Sequence, residues 1–138
     1  MPSFKIFDVA GSGMSAQSVR LNTVASNLAN ADSISGDPNT VYKARHPIFE
    51  AVRASLQQDG NAAAVHVKDI VESQATPNAR YEPGNPLANS EGYVYAPNVN
   101  VVEEMVDMIS ASRAYQNNVE VMNTSKELML ATLRLGQS

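Results

Sequence analysis

Residues 100–135 read NVVEEMVDMISASRAYQNNVEVMNTSKELMLATLRL, and this stretch decides the fold. Asn100 is placed to cap a helix, with Glu103 three residues on, as in a capping box. Apolar residues recur at coiled-coil spacing at Val101, Met105, Met108, Tyr115, Val119, Met122, Met129 and Leu133, interrupted by Ser112 and Lys126. A second stripe runs through Val102, Val106, Ile109, Val121, Leu128 and Leu135. At 1.5 Å per residue the helix is about 50 Å long, and Gly136 ends it. A helix that is apolar on more than one side must be buried on more than one side.

Working outward, residues 3–31 supply a second helix, about 40 Å long. Phe7, Ala10, Met14, Leu21, Val24, Leu28 and Ala31 fall at intervals of three or four, with Gln17 as the polar entry. Ile6, Val9, Val19 and Ala25 widen that stripe. Gly11 and Gly13 each weaken a helix by about 1 kcal/mol relative to Ala. They are either a tolerated cost or a sign of close backbone approach or a flexible first turn. Asn27 and Asn30 sit near the far end, where Asn tolerates the left-handed conformation. Asn27, Asn30, Asn117 and Asn118 are either buried amides fixing packing register or solvent-facing groups near helix ends. Two long helices cannot cover a second stripe between themselves. The cover is another chain, or the β region of the same chain; the expectation is an oligomer.

Between the helices lies a different kind of sequence. Residues 32–40 are a loop by composition. Val41–His46 reads as a short strand. Ile48, Val52 and Leu56 fit a strand face, a helix stripe or both. Asp59-Gly60 is a turn signal, and Val65, Val67 and Val71 alternate with His66, Lys68 and Glu72 as in a half-buried strand. Residues 48–73 therefore form a β-hairpin. Pro77, Pro83, Gly84, Pro86 and Gly92 keep 76–92 from forming a regular element, and Pro83-Gly84 suits a type II turn. Tyr93–Tyr95 adds a brief strand, stopped by Pro97. The expected fold class is α+β, mainly α: long terminal helices paired as an antiparallel coiled coil, with a small β-hairpin and extended-loop region between them. Residues 1–35 with 98–138 make the helical domain, and 36–97 the insertion.

Composition narrows the function. The 138 residues suffice for one domain with a modest core. Charged residues make up 17% against a usual figure of about 25%, a surface that expects partners. The net charge of −4 is spread along the chain, with no basic patch for nucleic acid and no polybasic surface for anionic lipid. No run reaches the roughly 20 apolar residues that span a bilayer, so direct membrane insertion is not expected. The absence of cysteine excludes disulfides, zinc–thiolate sites and thiol catalysis. The N-terminus lacks the apolar run of a secretory signal; by itself this reads as cytoplasmic unless another export route acts.

No constellation looks catalytic. His66, Asp69 and Glu72 can be drawn as metal ligands, but on a strand 66 and 69 point to opposite faces. His46 precedes Pro47 in an apparent turn. Gly11-Ser12-Gly13 sits within a helical pattern rather than after a strand, where a nucleotide loop belongs. The expectation is no enzyme, no cofactor and no metal.

Ser26-Asn27-Leu28-Ala29-Asn30-Ala31, at the end of an N-terminal helix, resembles the signature of the flagellar rod, hook and hook-associated protein family. The runs 81–86 (YEPGNP), 91–100 (EGYVYAPNVN), 101–109 (VVEEMVDMI) and 110–116 (SASRAYQ), and the Leu135-Gly136-Gln137 ending, are similar to the proximal rod members of that family. The resemblance covers nearly the whole chain. It implies a structural subunit of the flagellar basal body that passes torque and forms part of the export channel wall. It also implies delivery by the flagellar type III export apparatus without a cleaved signal, which displaces the cytoplasmic reading. The implied partners are other copies of the chain, other proximal and distal rod proteins, and the basal-body junction protein. A soluble coiled-coil adaptor or export chaperone is the alternative. The candidate packing residues are Phe7, Met14, Leu21, Val24, Asn27, Leu28 and Asn30 on the first helix. On the last helix they are Val102, Met105, Ile109, Tyr115, Val119, Met122, Leu128 and Leu133. Tyr81, Pro83, Gly84, Gly92, Tyr93, Pro97, Asn98 and Asn100 carry the family-motif loop.

Overall fold

The computed structural model describes residues 2–53 and 63–136. It is mainly helical: two long helices and two small antiparallel sheets. Helix α1 spans Pro2–Ala29 and α2 spans Val101–Leu135. Between them come β1 (Arg45–Arg53), β2 (Ala63–Glu72), β3 (Asn78–Tyr81) and β4 (Tyr93–Ala96). β1 pairs with β2, and β3 with β4.

Helix α1 is the middle layer, packing against α2 and against the β1–β2 hairpin. The two helices run in opposite directions: Gly13 lies beside Asn118, and Arg20 pairs with Asp107. A Cβ at Gly13 would stand 2.9 Å from Asn118 Nδ2, so this glycine marks a close approach. Among the described residues nothing lies within 4 Å of that position at Gly11. The Arg20–Asp107 pair is part-buried, with side chains 23% and 34% exposed. Lys68–Glu50 is far more open and contributes little.

The buried apolar side chains are small. Ala10, Ala16, Val24, Val41, Ala44, Val94, Ala96 and Ala111 make up the core, with Pro97 fully buried beside them. No Leu, Ile, Met, Phe or Tyr is among the described buried residues. Helices that approach closely need small side chains at the contact, so the large ones are turned away. The inward face of α2 runs through Glu104, Ala111, Tyr115, Asn118 and Met122. The seam expected from apolar spacing therefore needs correction. Met108, Tyr115, Val119, Met122 and Met129 are half-buried, but Val101, Met105 and Leu133 are exposed. The second stripe is exposed throughout, from Val121 at 44% to Leu135 at 79%. Among the described residues the sheets do not cover that stripe.

The hairpin expected over 48–73 is present and begins earlier, at Arg45. Its register shifts between Ile48 and Phe49, leaving Lys68 as an extra residue on β2. Such a bulge interrupts simple alternation: Val65 and Val67 are half-buried, whereas Val71 is exposed. The Asp59-Gly60 turn lies outside the described residues. Residues 41–44 are not a strand, because their polar groups are taken otherwise. Val41 N–H bonds Asp37 C=O at 3.2 Å, and Ala44 N–H bonds the Asn98 side chain at 2.7 Å.

Residues 76–92 are more regular than their prolines suggest. Asn78–Tyr81 pairs with Tyr93–Ala96, and Ser35 bridges the other edge of β4 through Tyr95. The prolines fall beside the strand, not within it. The turn at Pro83-Gly84 closes with Asn85 N–H on Glu82 C=O at 3.0 Å, but Gly84 is not in the positive-φ region. It is not a type II turn. Pro at its second position suits either type, and Asn85 carries the chain directly into a further turn ending at Ala88. The positive φ belongs to Gly92 (80°), where a Cβ would also meet Tyr81 Cε2 at 2.9 Å.

The two helix glycines give a direct test. Gly11→Ala should raise unfolding free energy by about 1 kcal/mol. Gly13→Ala should gain clearly less, or lose stability, because Asn118 must move. Urea denaturation of both variants reads the difference; equal gains would place no close contact at Gly13.

Candidate assembly surface

Of the asparagines singled out at the helix ends, Asn27 holds the layers together, whereas Asn117 is exposed and Asn118 donates to Ala114 C=O in its own helix. Asn27 is 0% exposed. Its Nδ2 donates to Arg45 C=O at 2.8 Å. Its Oδ1 accepts from Arg45 N–H at 2.9 Å and from the Tyr42 hydroxyl at 2.9 Å. One amide side chain thus acts as a strand neighbour for the first residue of β1. The Arg45 guanidinium also stacks over the Tyr42 ring, 5.6 Å from its centroid. Asn30 plays a lesser part, donating to Ser26 C=O within its own helix end.

Asn98 does for the other end of the insertion what Asn27 does for the first. Its Oδ1 accepts from Ala44 N–H, and its Nδ2 donates to Ala75 C=O at 2.8 Å. Asn100 caps α2: its Oδ1 accepts from Val102 N–H at 3.1 Å and from Glu103 N–H at 3.4 Å. Tyr81 and Tyr93 meet edge to face at 5.3 Å across the β3–β4 pair, over Gly92. Pro97 is buried, while Pro83 and Gly84 are exposed.

Two contributors carried little sequence signal. Ser12 Oγ accepts from Val65 N–H at 3.0 Å and donates to Val9 C=O, tying β2 to the middle of α1. Asn89 Oδ1 accepts from Glu91 and Tyr93 N–H groups, fixing the loop before β4. A serine beside glycines and an asparagine in a turn-rich loop are both ordinary, so spacing alone does not mark them.

The candidate packing residues divide into two sets. Val24 is buried, and Phe7, Met14, Leu21, Leu28, Tyr115, Val119 and Met122 are half-buried on the subunit's inner faces. Val102, Met105, Ile109, Leu128 and Leu133 are 53–69% exposed. Val101, Val106, Val121, Leu130 and Leu135 join them on α2, which thus carries ten of the nineteen exposed large apolar residues among those described. Chemically the arrangement offers apolar surface. Among the described residues no group of three or more His, Cys, Asp or Glu side chains is placed to hold a metal ion. No described helix is long and apolar enough to cross a membrane.

Comparison with known proteins gives this surface its setting. Residues 7–33 match the family model described as flagella basal body rod protein. Residues 90–135 match the C-terminal model of the flagellar basal body rod FlgEFG proteins. The chain is 54% identical over 137 residues to the flagellar basal-body rod protein FlgC of Escherichia coli O6:H1, covering 99% of this chain and all of that one. It is 53% identical to the same-named protein of Salmonella typhimurium, with the same coverage. It is 42% identical to that of Aquifex aeolicus over 134 residues, 96% of each.

The Asn27 joint is testable by itself. Asn27→Ala removes three hydrogen bonds and strands the Arg45 backbone groups, and should cost about 3 kcal/mol. Asn30→Ala should cost about 1 kcal/mol or less. Urea midpoints of the two variants that coincided would contradict the assignment.

Proposed function

We propose, from the premise that the chain belongs to the FlgC family of flagellar basal-body rod proteins, that it is a structural subunit of the proximal rod. In this role it passes torque along the shaft and forms part of the wall of the export channel. One observation carries the reading: α2 turns large apolar side chains outward near both ends, between Val101 and Ile109 and between Val121 and Leu133, and nothing among the described residues covers them. A shaft built of such subunits buries these side chains between neighbours. Heterologous contacts of this kind propagate into an open helical array and need not close into a ring.

The residue roles follow. Phe7, Met14, Leu21, Val24, Leu28, Tyr115, Val119 and Met122 hold the helix pair, which tightens into an antiparallel coiled coil in the assembled rod. Val102, Met105, Ile109, Leu128 and Leu133 meet neighbouring subunits. Residues 1–35 with 98–138 form the rod core, and 36–97 the insertion, whose Tyr81–Pro97 segment lies against adjacent subunits and stiffens the shaft. Neighbours are further copies, other proximal and distal rod proteins and the basal-body junction protein. The type III export apparatus delivers the chain. A soluble adaptor or chaperone has less use for an uncovered face of this length.

Charge on the uncovered face separates assembly from folding. Ile109→Asp and Leu128→Asp, at positions 56% and 64% exposed, should shift the stability of the free subunit by no more than about 0.5 kcal/mol. Both should be missing from purified basal bodies. Normal incorporation of either variant would count against the reading. In the free subunit, amide exchange should be fast over residues 123–135, where most side chains are exposed, and should slow on incorporation. Protection there matching that of Asn27–Arg45 in the free subunit would contradict it.

A further inference from the structure

We propose that a cleft at the start of α2 receives a basic side chain, lysine or arginine, from a neighbouring subunit, with Glu104 as its counter-charge. Glu104 is 5% exposed, and its Oε2 is buried without a hydrogen-bond partner. It is the one such side-chain atom among the described residues. A buried carboxylate lacking a donor is costly, and the nearby helix N-terminus offsets only part of that cost. The neighbouring Asp107 is served by Arg20.

The cleft is lined by His46, Val102, Glu103, Glu104, Val106, Asp107 and Ser110, and its walls say what fits. With Asp107 engaged by Arg20, Glu103 and Glu104 leave the site net negative, which repels an anion. An apolar plug would leave Oε2 without a donor. No metal-holding group of side chains is present among the described residues. Val102 and Val106, 69% and 62% exposed, offer apolar surface for the methylene stem of a long cationic side chain. A guanidinium or ammonium brings several donors for the carboxylate. The inference rests on the rod reading, because the cation comes from a neighbour. It adds that the Glu104 carboxylate, buried at Oε2 in the free subunit, turns to meet the entering cation and is satisfied in the shaft.

The test uses Glu104→Gln and Glu103→Lys, each expressed in a strain lacking the chromosomal copy. Glu104→Gln removes the charge and keeps the shape. Glu103→Lys places a cation at the exposed rim, where folding is little affected. Purified Glu104→Gln should melt no lower than wild type and Glu103→Lys only slightly lower, because a cation opposes the helix N-terminus, while recovery of each in purified basal bodies should fall about tenfold or more, the loss that about 1.4 kcal/mol produces. Glu104→Gln melting well below wild type would mean the carboxylate is satisfied within the subunit, overturning the proposal. Wild-type recovery of both variants would overturn it equally. Complete basal bodies in the deletion strain would instead sink the rod reading, and the proposal with it.

Discussion

Asn27 imposes the constraint on which the other contacts depend. A helix and a strand share no backbone ladder, so a hairpin packed on a helix is held mainly by side chains. Here one fully buried amide takes both backbone groups of Arg45 and the Tyr42 hydroxyl. Asn98 closes the other end of the insertion onto Ala44 and Ala75, and Ser12 pins β2 from the middle of α1. These bonds set where the chain leaves α1 and where it returns to α2. A core of alanine and valine buries too little area per residue to do this alone.

Small core residues have a second effect. Where Gly13 and Ala111 let the helices approach, the large apolar side chains of α2 are displaced outward. In a self-sufficient domain this would be a poor arrangement, since exposed apolar patches invite association. In a subunit built to be surrounded it is economical: a close helix pair forms the stable unit, and neighbours bury the rest. The same logic is proposed for Glu104, whose Oε2 lacks a donor in the subunit.

Much of this was legible in the residues. Both helices, the hairpin and the Asn100 cap follow from period, turn chemistry and capping, each a local property of the chain. The excess of apolar faces on α2 was also legible, because counting stripes needs no coordinates. Which stripe faces inward was not. Apolar spacing ranks Met105 and Leu133 above Ala111 and Asn118, whereas a close helix crossing selects for small size. The short β3 strand was hidden by its neighbouring prolines, since its partner Tyr93–Ala96 lies a dozen residues away and pairing is not a local property. Asn27 could be marked as a candidate buried amide from its motif, but its partner at Arg45 required the fold.

The outer face of α2 is bare in the subunit, and a rod subunit needs it covered in the shaft. The chain has no cysteine, so a single Ile109→Cys substitution gives a unique maleimide target. The most direct measurement compares its labelling rate in the free subunit and in intact purified basal bodies. Rapid labelling of the free subunit and strong protection in the particle are expected. Equal rates in both would mean that this face stays open after assembly, and the account would be wrong.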